Sequence, residues 1–179
     1  TAATLSLPTL TLNTLTLSRP NGVTLTGNLN ITNKVIFSNG ILSTGSNQVN
    51  YLSTALTPLE SNSSYTNGTS VMLARNINTG SIYFLNCNIS SGTDNLGNVT
   101  ITRYTGNQGI TTIGSNQSIK SKWDITATTQ PSSGRNITYE WLPIFDNNHN
   151  FGTSNRAQML SSTDNGTTWL NVGNLVDPT

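Results

Sequence analysis

The chain has 179 residues and a formal net charge of +1, with 8% of its residues charged and 34% apolar. Thr (30), Asn (26) and Ser (21) dominate it, so its surface must be hydroxyls and amides rather than charges. This balance excludes a charged disordered tail, because enough apolar side chains remain to bury strands. It also excludes nucleic-acid binding, because the eight basic residues are scattered and leave no electrostatic footprint.

No apolar run approaches the length of a bilayer span, so no membrane insertion is expected of this segment. The chain opens at Thr1 without Met or a signal-peptide pattern, and reads as a mature or excised piece whose anchor and export signal lie outside it.

The stretch from Thr4 to Leu42 organises the rest. Leu5/Leu7, Leu10/Leu12 and Leu15/Leu17 form pairs two residues apart in the units TLSLP, TLTLN and TLTLS, each closed by Pro8, Asn13 or Ser18. From Val23 the step lengthens to six, through Val23/Leu25, Leu29/Ile31 and Val35/Phe37 to Ile41. A two-residue separation puts both side chains of a pair on one face of an extended strand. The Thr and Val between them favour pleated backbone over helix. Inward pairs separated by polar corners suit a right-handed parallel β-helix, or β-solenoid, in which equivalent strands of successive coils stack. The alternative is an antiparallel meander with Asn21-Gly22 and Asn39-Gly40 as hairpin turns.

Residues 43–70 loosen this pattern. Val49, Tyr51 and Leu52 are expected inside, while Pro58 argues against a central strand. The segment reads as a wide loop or a coil with an insertion. Residues 71–90 return to strand pattern around Asn78-Thr79-Gly80, as a last coil or a hairpin capping the open end. Cys87 lies in this run. As the lone cysteine it makes no intrachain disulfide, and with no activating neighbour in sequence it is expected to be a buried structural residue.

The polar, Gly-containing stretch 91–98 marks a boundary, giving a solenoid-like domain over 1–92 and an antiparallel β-sandwich over 93–179. Strands are expected at 98–104, 119–128, 136–145, 156–161 and 167–172. Trp123, Trp141 and Trp169 alternate with polar residues and are expected to anchor the core.

Few motifs suggest chemistry. Ser162-Thr163-Asp164-Asn165-Gly166-Thr167-Thr168-Trp169 fits S-x-D-x-G-x-T-W and resembles an Asp-box, a hairpin turn tied by its own Asp and hydroxyl side chains over a Trp. Where it recurs in sialidases it sits away from the catalytic centre, and here there is one copy. Asp146–Gly152 loosely echoes a calcium loop, but it lacks a bidentate Glu and places Gly one residue late. Glycoside hydrolysis would require two converging carboxylates, for which Glu140 and Asp146 are the nearest candidates, and any triad would have to draw on His149, the lone histidine. Thr-x-Thr pairs at Thr9/Thr11, Thr14/Thr16 and Thr24/Thr26 could order water on a flat face, but the step changes between them, and outward Thr is ordinary on a strand. Eight Asn-X-Ser/Thr sequons match what composition alone produces. No catalytic, cofactor-binding or metal residue is therefore assigned.

Taken together, TLTLSRPNGVTLTGNLNITNKVIFSNGILSTGSN, SYTNG, NVTITRYTGNQG, WDITATTQPSSGRNITYEW and SSTDNGTTWLNVG resemble the extracellular repeat regions of large Bacteroidota adhesin-like surface proteins exported by the type IX secretion system. The resemblance spans roughly residues 10 to 173. It implies solenoid coils followed by a β-sandwich, and an extracellular or cell-surface location. It carries over no catalytic or ligand residue, and the family's C-terminal sorting domain has no counterpart here. The expected role is a non-enzymatic adhesin or stalk segment contacting other protein subunits or surface glycans, through loops at 145–155 or 128–136. The alternative is a filament subunit whose N-terminal segment completes a neighbour's sheet by strand addition.

Overall fold

The computed structural model describes residues 5–178, with the side chain of Leu5 excluded, so the start of the organising stretch at Thr4 lies outside the described residues. Fifteen strands follow in order: β1 (Leu5–Leu7), β2 (Leu10–Ser18), β3 (Val23–Leu25), β4 (Leu29–Asn39), β5 (Leu42–Tyr51), β6 (Thr66–Asn76), β7 (Ile82–Phe84), β8 (Cys87–Ile89), β9 (Asn98–Thr105), β10 (Thr112–Ile113), β11 (Asn116–Gln117), β12 (Ser121–Ala127), β13 (Ile137–Tyr139), β14 (Ala157–Ser161) and β15 (Leu170–Val176). Short 3-10 turns occupy Gly106–Gly109 and Pro143–Phe145.

The N-terminal part is a solenoid-like stack of about 3 turns. One parallel ladder runs β1-β3-β5-β6, and a second joins β2 to β4, β4 to β5 and β5 to β6. Leu5 aligns with Val23, Leu10 with Leu29 and Leu15 with Val35. The three five-residue units therefore form the sides of one coil, and the six-residue units the sides of the next. A unit this short has too little extended backbone to close a turn, so three are needed before the chain returns above itself. Asn13 is not a break. It lies within β2 at a register shift between Leu12 and Thr14 that returns Leu15 and Leu17 to the interior.

The stacked pairs make the core. Leu10, Leu29 and Val49 form one column, and Leu12, Ile31, Tyr51 and Met72 another. Leu29, Ile31, Val49, Tyr51 and Met72 are fully buried, and complete burial of such a side chain stabilises by about 1.5–3 kcal/mol. Outside, amides continue the stacking: Asn30 Nδ2 donates to Thr11 Oγ1 at 3.2 Å, and Asn50 Nδ2 to Asn30 Oδ1 at 2.9 Å. Asn21-Gly22 and Asn39-Gly40 are stacked corners, not hairpin turns: β2 and β3 do not pair with each other, and β4 and β5 pair parallel. Gly22 and Gly40 take φ of +70° and +97°, and a Cβ at Gly40 would overlap the Arg19 carbonyl of the preceding corner.

The stack is closed at its far end. After β5, residues 52–65 swing outward and return to begin β6, with Leu59 bridging Ile36. Arg75 holds the start of this excursion, donating to the Leu52 and Ala55 carbonyls while its guanidinium lies 4.3 Å over the Phe84 ring. β6 then pairs antiparallel with β9, and β9 with β12. Here the interior changes character, with Thr66 and Ser70 buried beneath Leu42 and Val49. Glu60 turns inward from the excursion, and its Oε1 accepts from the Thr66 amide at 2.9 Å and from Arg103 Nη2 at 2.7 Å.

Separate antiparallel sheets follow: β7-β8-β13, β10-β11 and β14-β15. The chain bends at Asn78-Thr79-Gly80 between β6 and β7, and a hairpin that sequence does not signal turns at Leu85-Asn86, both with positive φ, between β7 and β8. Its strain is held by the Thr57 hydroxyl on the Leu85 amide and the Trp123 indole on the Leu85 carbonyl. The β6-β9 and β8-β13 ladders both cross position 92.

The Arg103–Glu60 pair is buried, at 2% and 1% exposure. Arg103→Met strands the carboxylate in the interior and is expected to cost about 3–5 kcal/mol. Urea unfolding measures this, and Arg103→Met combined with Glu60→Gln should recover part of the loss. A single variant as stable as wild type contradicts the pairing.

Candidate functional site

An open cleft of about 470 Å³ has a lining that includes Tyr139, Glu140, Trp141, Asp146, Phe151 and Val176. Its floor follows from sheet pairing. Tyr139 closes β13 opposite Cys87, its ring 4.8 Å from that of Trp123, and the Glu140 amide donates to the Asn86 carbonyl at 2.9 Å. Burial, and secondarily Cys87, raises the Tyr139 phenol well above its ordinary range.

Beyond Glu140 the chain leaves the sheet. Pro143 opens the 3-10 turn, Phe145 is buried edge-on to Tyr65 at 5.1 Å, and the Asp146 amide closes the turn on the Pro143 carbonyl. Asn147 and Asn148 adopt φ of 56° and 63°, which Asn tolerates better than most residues, and reverse the chain. Phe151 thereby returns to Trp141, with ring centroids 5.8 Å apart at 66°. The loop is pinned from outside by Asn147 Nδ2 donating to the Ser118 carbonyl at 2.8 Å, and by His149 Nε2 lying 3.0 Å from the Gln117 carbonyl.

Two carboxylates border the cleft, and each has a fixed donor. Glu140 Oε2 accepts from the Tyr83 hydroxyl at 3.0 Å, and Asp146 Oδ1 accepts from Trp141 Nε1 at 2.7 Å. The Tyr83 phenol is pushed up to about 12, by burial first and then by this bond to Glu140. Among the described residues, no Lys, Arg or His lines the cleft.

Glu140 and Asp146, which sequence reasoning singled out only as a carboxylate pair, both belong to the lining with aromatic rings it assigned to the core, but Tyr83 holds the Glu140 carboxylate on the sheet face opposite Tyr139. Trp123 packs against the core as expected, but Trp141 lines the cleft and Trp169 sits at a hairpin turn. The 145–155 loop contributes to the cleft. The 128–136 loop does not, being tied down by Arg135, which donates to the carbonyls of Asn78, Gly80, Ser90 and Asp94. The Asp94 carboxylate receives Ser132 and Ser133, and these bonds, Ser133 first, hold it below the usual carboxylate range.

In the 162–169 turn, Asp164 accepts from the Thr168 hydroxyl at 2.6 Å, the Thr168 amide at 2.8 Å and the Ser162 hydroxyl at 2.8 Å, and Trp169 Nε1 donates to the Gly166 carbonyl. Among the described residues no cluster of three or more His, Cys, Asp or Glu could hold a metal. Comparison with protein-family models, curated proteins and solved structures found no match.

Two measurements follow from the titrating groups. Burial pushes the Cys87 thiol up to about 12, so at pH 8 it is protonated and enclosed, and a disulfide reagent should label it only after denaturation; rapid labelling of native protein contradicts its burial. The Asp164 carboxyl is held at about 2, chiefly by Thr168 and then Ser162. Because its folded pKa lies below the ordinary value of about 3.9, the turn's contribution is complete above that value and is lost as pH falls through about 2. Amide exchange at Gly166 and Thr168 should accelerate over that window in wild type and show no such step in Asp164→Asn. An identical step in both proteins rejects the assignment.

Proposed function

We propose that the chain is a non-enzymatic segment of a cell-surface or secreted adhesin or stalk, displayed outside the cell and contacting glycans or other protein subunits. The observation that carries this reading is the asymmetry of the stack. The last turn is covered by β9 and β12, whereas the outer edges of β1 and β2 pair with nothing else among the described residues. In that outer coil Leu10, Leu12 and Leu15 are half-buried, while Leu29, Ile31 and Val35 beneath them are buried. The edge is complementary to another coil of the same design, as in a longer stack.

The neutral, hydroxyl-rich surface supports the same reading, because charged rows would repel along stacked strands. So does the resemblance to type IX-exported adhesin-like proteins. Glu140 and Asp146 are each tied to a structural donor, which suits a binding surface better than proton transfer.

The filament reading has one observation of its own. Edge strands of monomeric proteins are usually guarded by charge, bulges or Pro, and β2 carries no charged residue from Leu10 to Ser18, its interruptions being the register shifts at Asn13 and near Ser18. A strand from a second copy could therefore add there.

Antibody against the purified chain should label intact source cells or detect the protein in their medium; staining confined to permeabilised cells rejects the surface role. Inserting a second copy of residues 23–41 immediately before Leu5 keeps the coil in phase and should raise the urea midpoint of a monomer. An inserted coil that stays unprotected in hydrogen exchange counts against stacking. Spontaneous fibres that disappear on deletion of residues 1–18 would favour the filament.

A further inference from the structure

We propose that the cleft between β13 and the 146–151 loop binds a small organic cation, an alkylammonium group. This assignment is independent of the surface role above, and it concerns a ligand of different charge from the neutral glycan that role invites. It rests on which groups converge there.

Tyr139, Trp141 and Phe151 supply aromatic surface, and Trp141 and Phe151 meet edge to face, so together they present a corner rather than a flat plate. A corner of rings suits a rounded cationic head, which is attracted to the electron-rich face of each ring. A flat sugar ring would instead gain most from a single broad platform.

Charge points the same way. Asp146 lines the cleft beside Trp141, and among the described residues no basic side chain does, so its field repels anions and favours cations. The Asp146 carboxylate is oriented through one oxygen by Trp141, whereas Glu140 is held by Tyr83 on the sheet face opposite Tyr139. No hydrogen bond among the described residues engages the second oxygen of Asp146. The volume of about 470 Å³ is within the range of small-molecule sites, and the open cleft leaves access for the head of a longer molecule.

The primary ammonium of a lysine side chain and a quaternary ammonium head share this chemistry, and the probes separate them. Titration followed at the Trp141 indole NH by NMR compares choline, n-butylammonium, 3,3-dimethylbutan-1-ol (the uncharged isostere of choline) and methyl α-glucoside. Choline or butylammonium should shift the indole resonance saturably, and the uncharged alcohol should bind at least about tenfold more weakly. If choline wins, the ligand is quaternary; if butylammonium wins, it is a lysine-like amine.

Asp146→Asn keeps an acceptor for Trp141 while removing the charge. It should weaken the cation roughly five- to tenfold and leave the alcohol unchanged. Equal binding of alcohol and choline, tighter binding of methyl α-glucoside than of either cation, or no response to any cation overturns the proposal. Because these probes act at the cleft alone, surface labelling of cells can succeed while they fail, and the reverse, so the two readings are tested apart.

Discussion

The fold depends on the requirement that each coil lie in register on the one before it. Parallel stacking places Leu29 over Leu10 and Val49 over Leu29, so a side chain is buried only if the next coil supplies its equivalent. The same requirement governs the exterior, where Thr11, Asn30 and Asn50 must tolerate copies of one another at strand spacing. Hydroxyls and amides do so by hydrogen bonding, whereas rows of like charge would not. The scarcity of charge in the chain follows from its architecture.

Where stacking ends, the interior must change. Continuing Leu and Val columns would leave another apolar edge, and the chain instead places Thr66 and Ser70 there and closes them with Glu60 and Arg103. That closure depends on a strained turn, since Asn86 beside Leu85 accepts from Arg103 Nη1 and its carbonyl receives the Glu140 amide. The cleft is thus joined to the solenoid at this turn as well as through Phe145 against Tyr65. Asn86 links the buried ion pair to the backbone position from which Glu140 and Trp141 leave the sheet.

Much of this architecture was legible in the sequence. Leu and Val pairs two apart announced inward columns, and the change of step at Val23 marked the passage from one coil to the next. The coil length was harder to read, because nothing local shows that three short units must complete a turn. The Leu85-Asn86 reversal was hidden because a buried Leu at positive φ has no Gly or Asp-Gly signature and is imposed by contacts from Thr57 and Trp123. The cleft was legible only in fragments. Glu140 and Asp146 were visible as carboxylates, but alternation alone cannot distinguish a Trp that faces the core from one, such as Trp141, carried past the end of its strand.

The Arg135 clasp bears on how the molecule meets a protease. Trypsin must draw an arginine side chain into its own acidic pocket before it can cut, and this guanidinium is already committed to carbonyls from the 78–80 turn, Ser90 and Asp94. Digestion after this arginine has to wait until those segments separate. One cation holding four main-chain oxygens both fastens neighbouring loops and withdraws a cleavage point from attack.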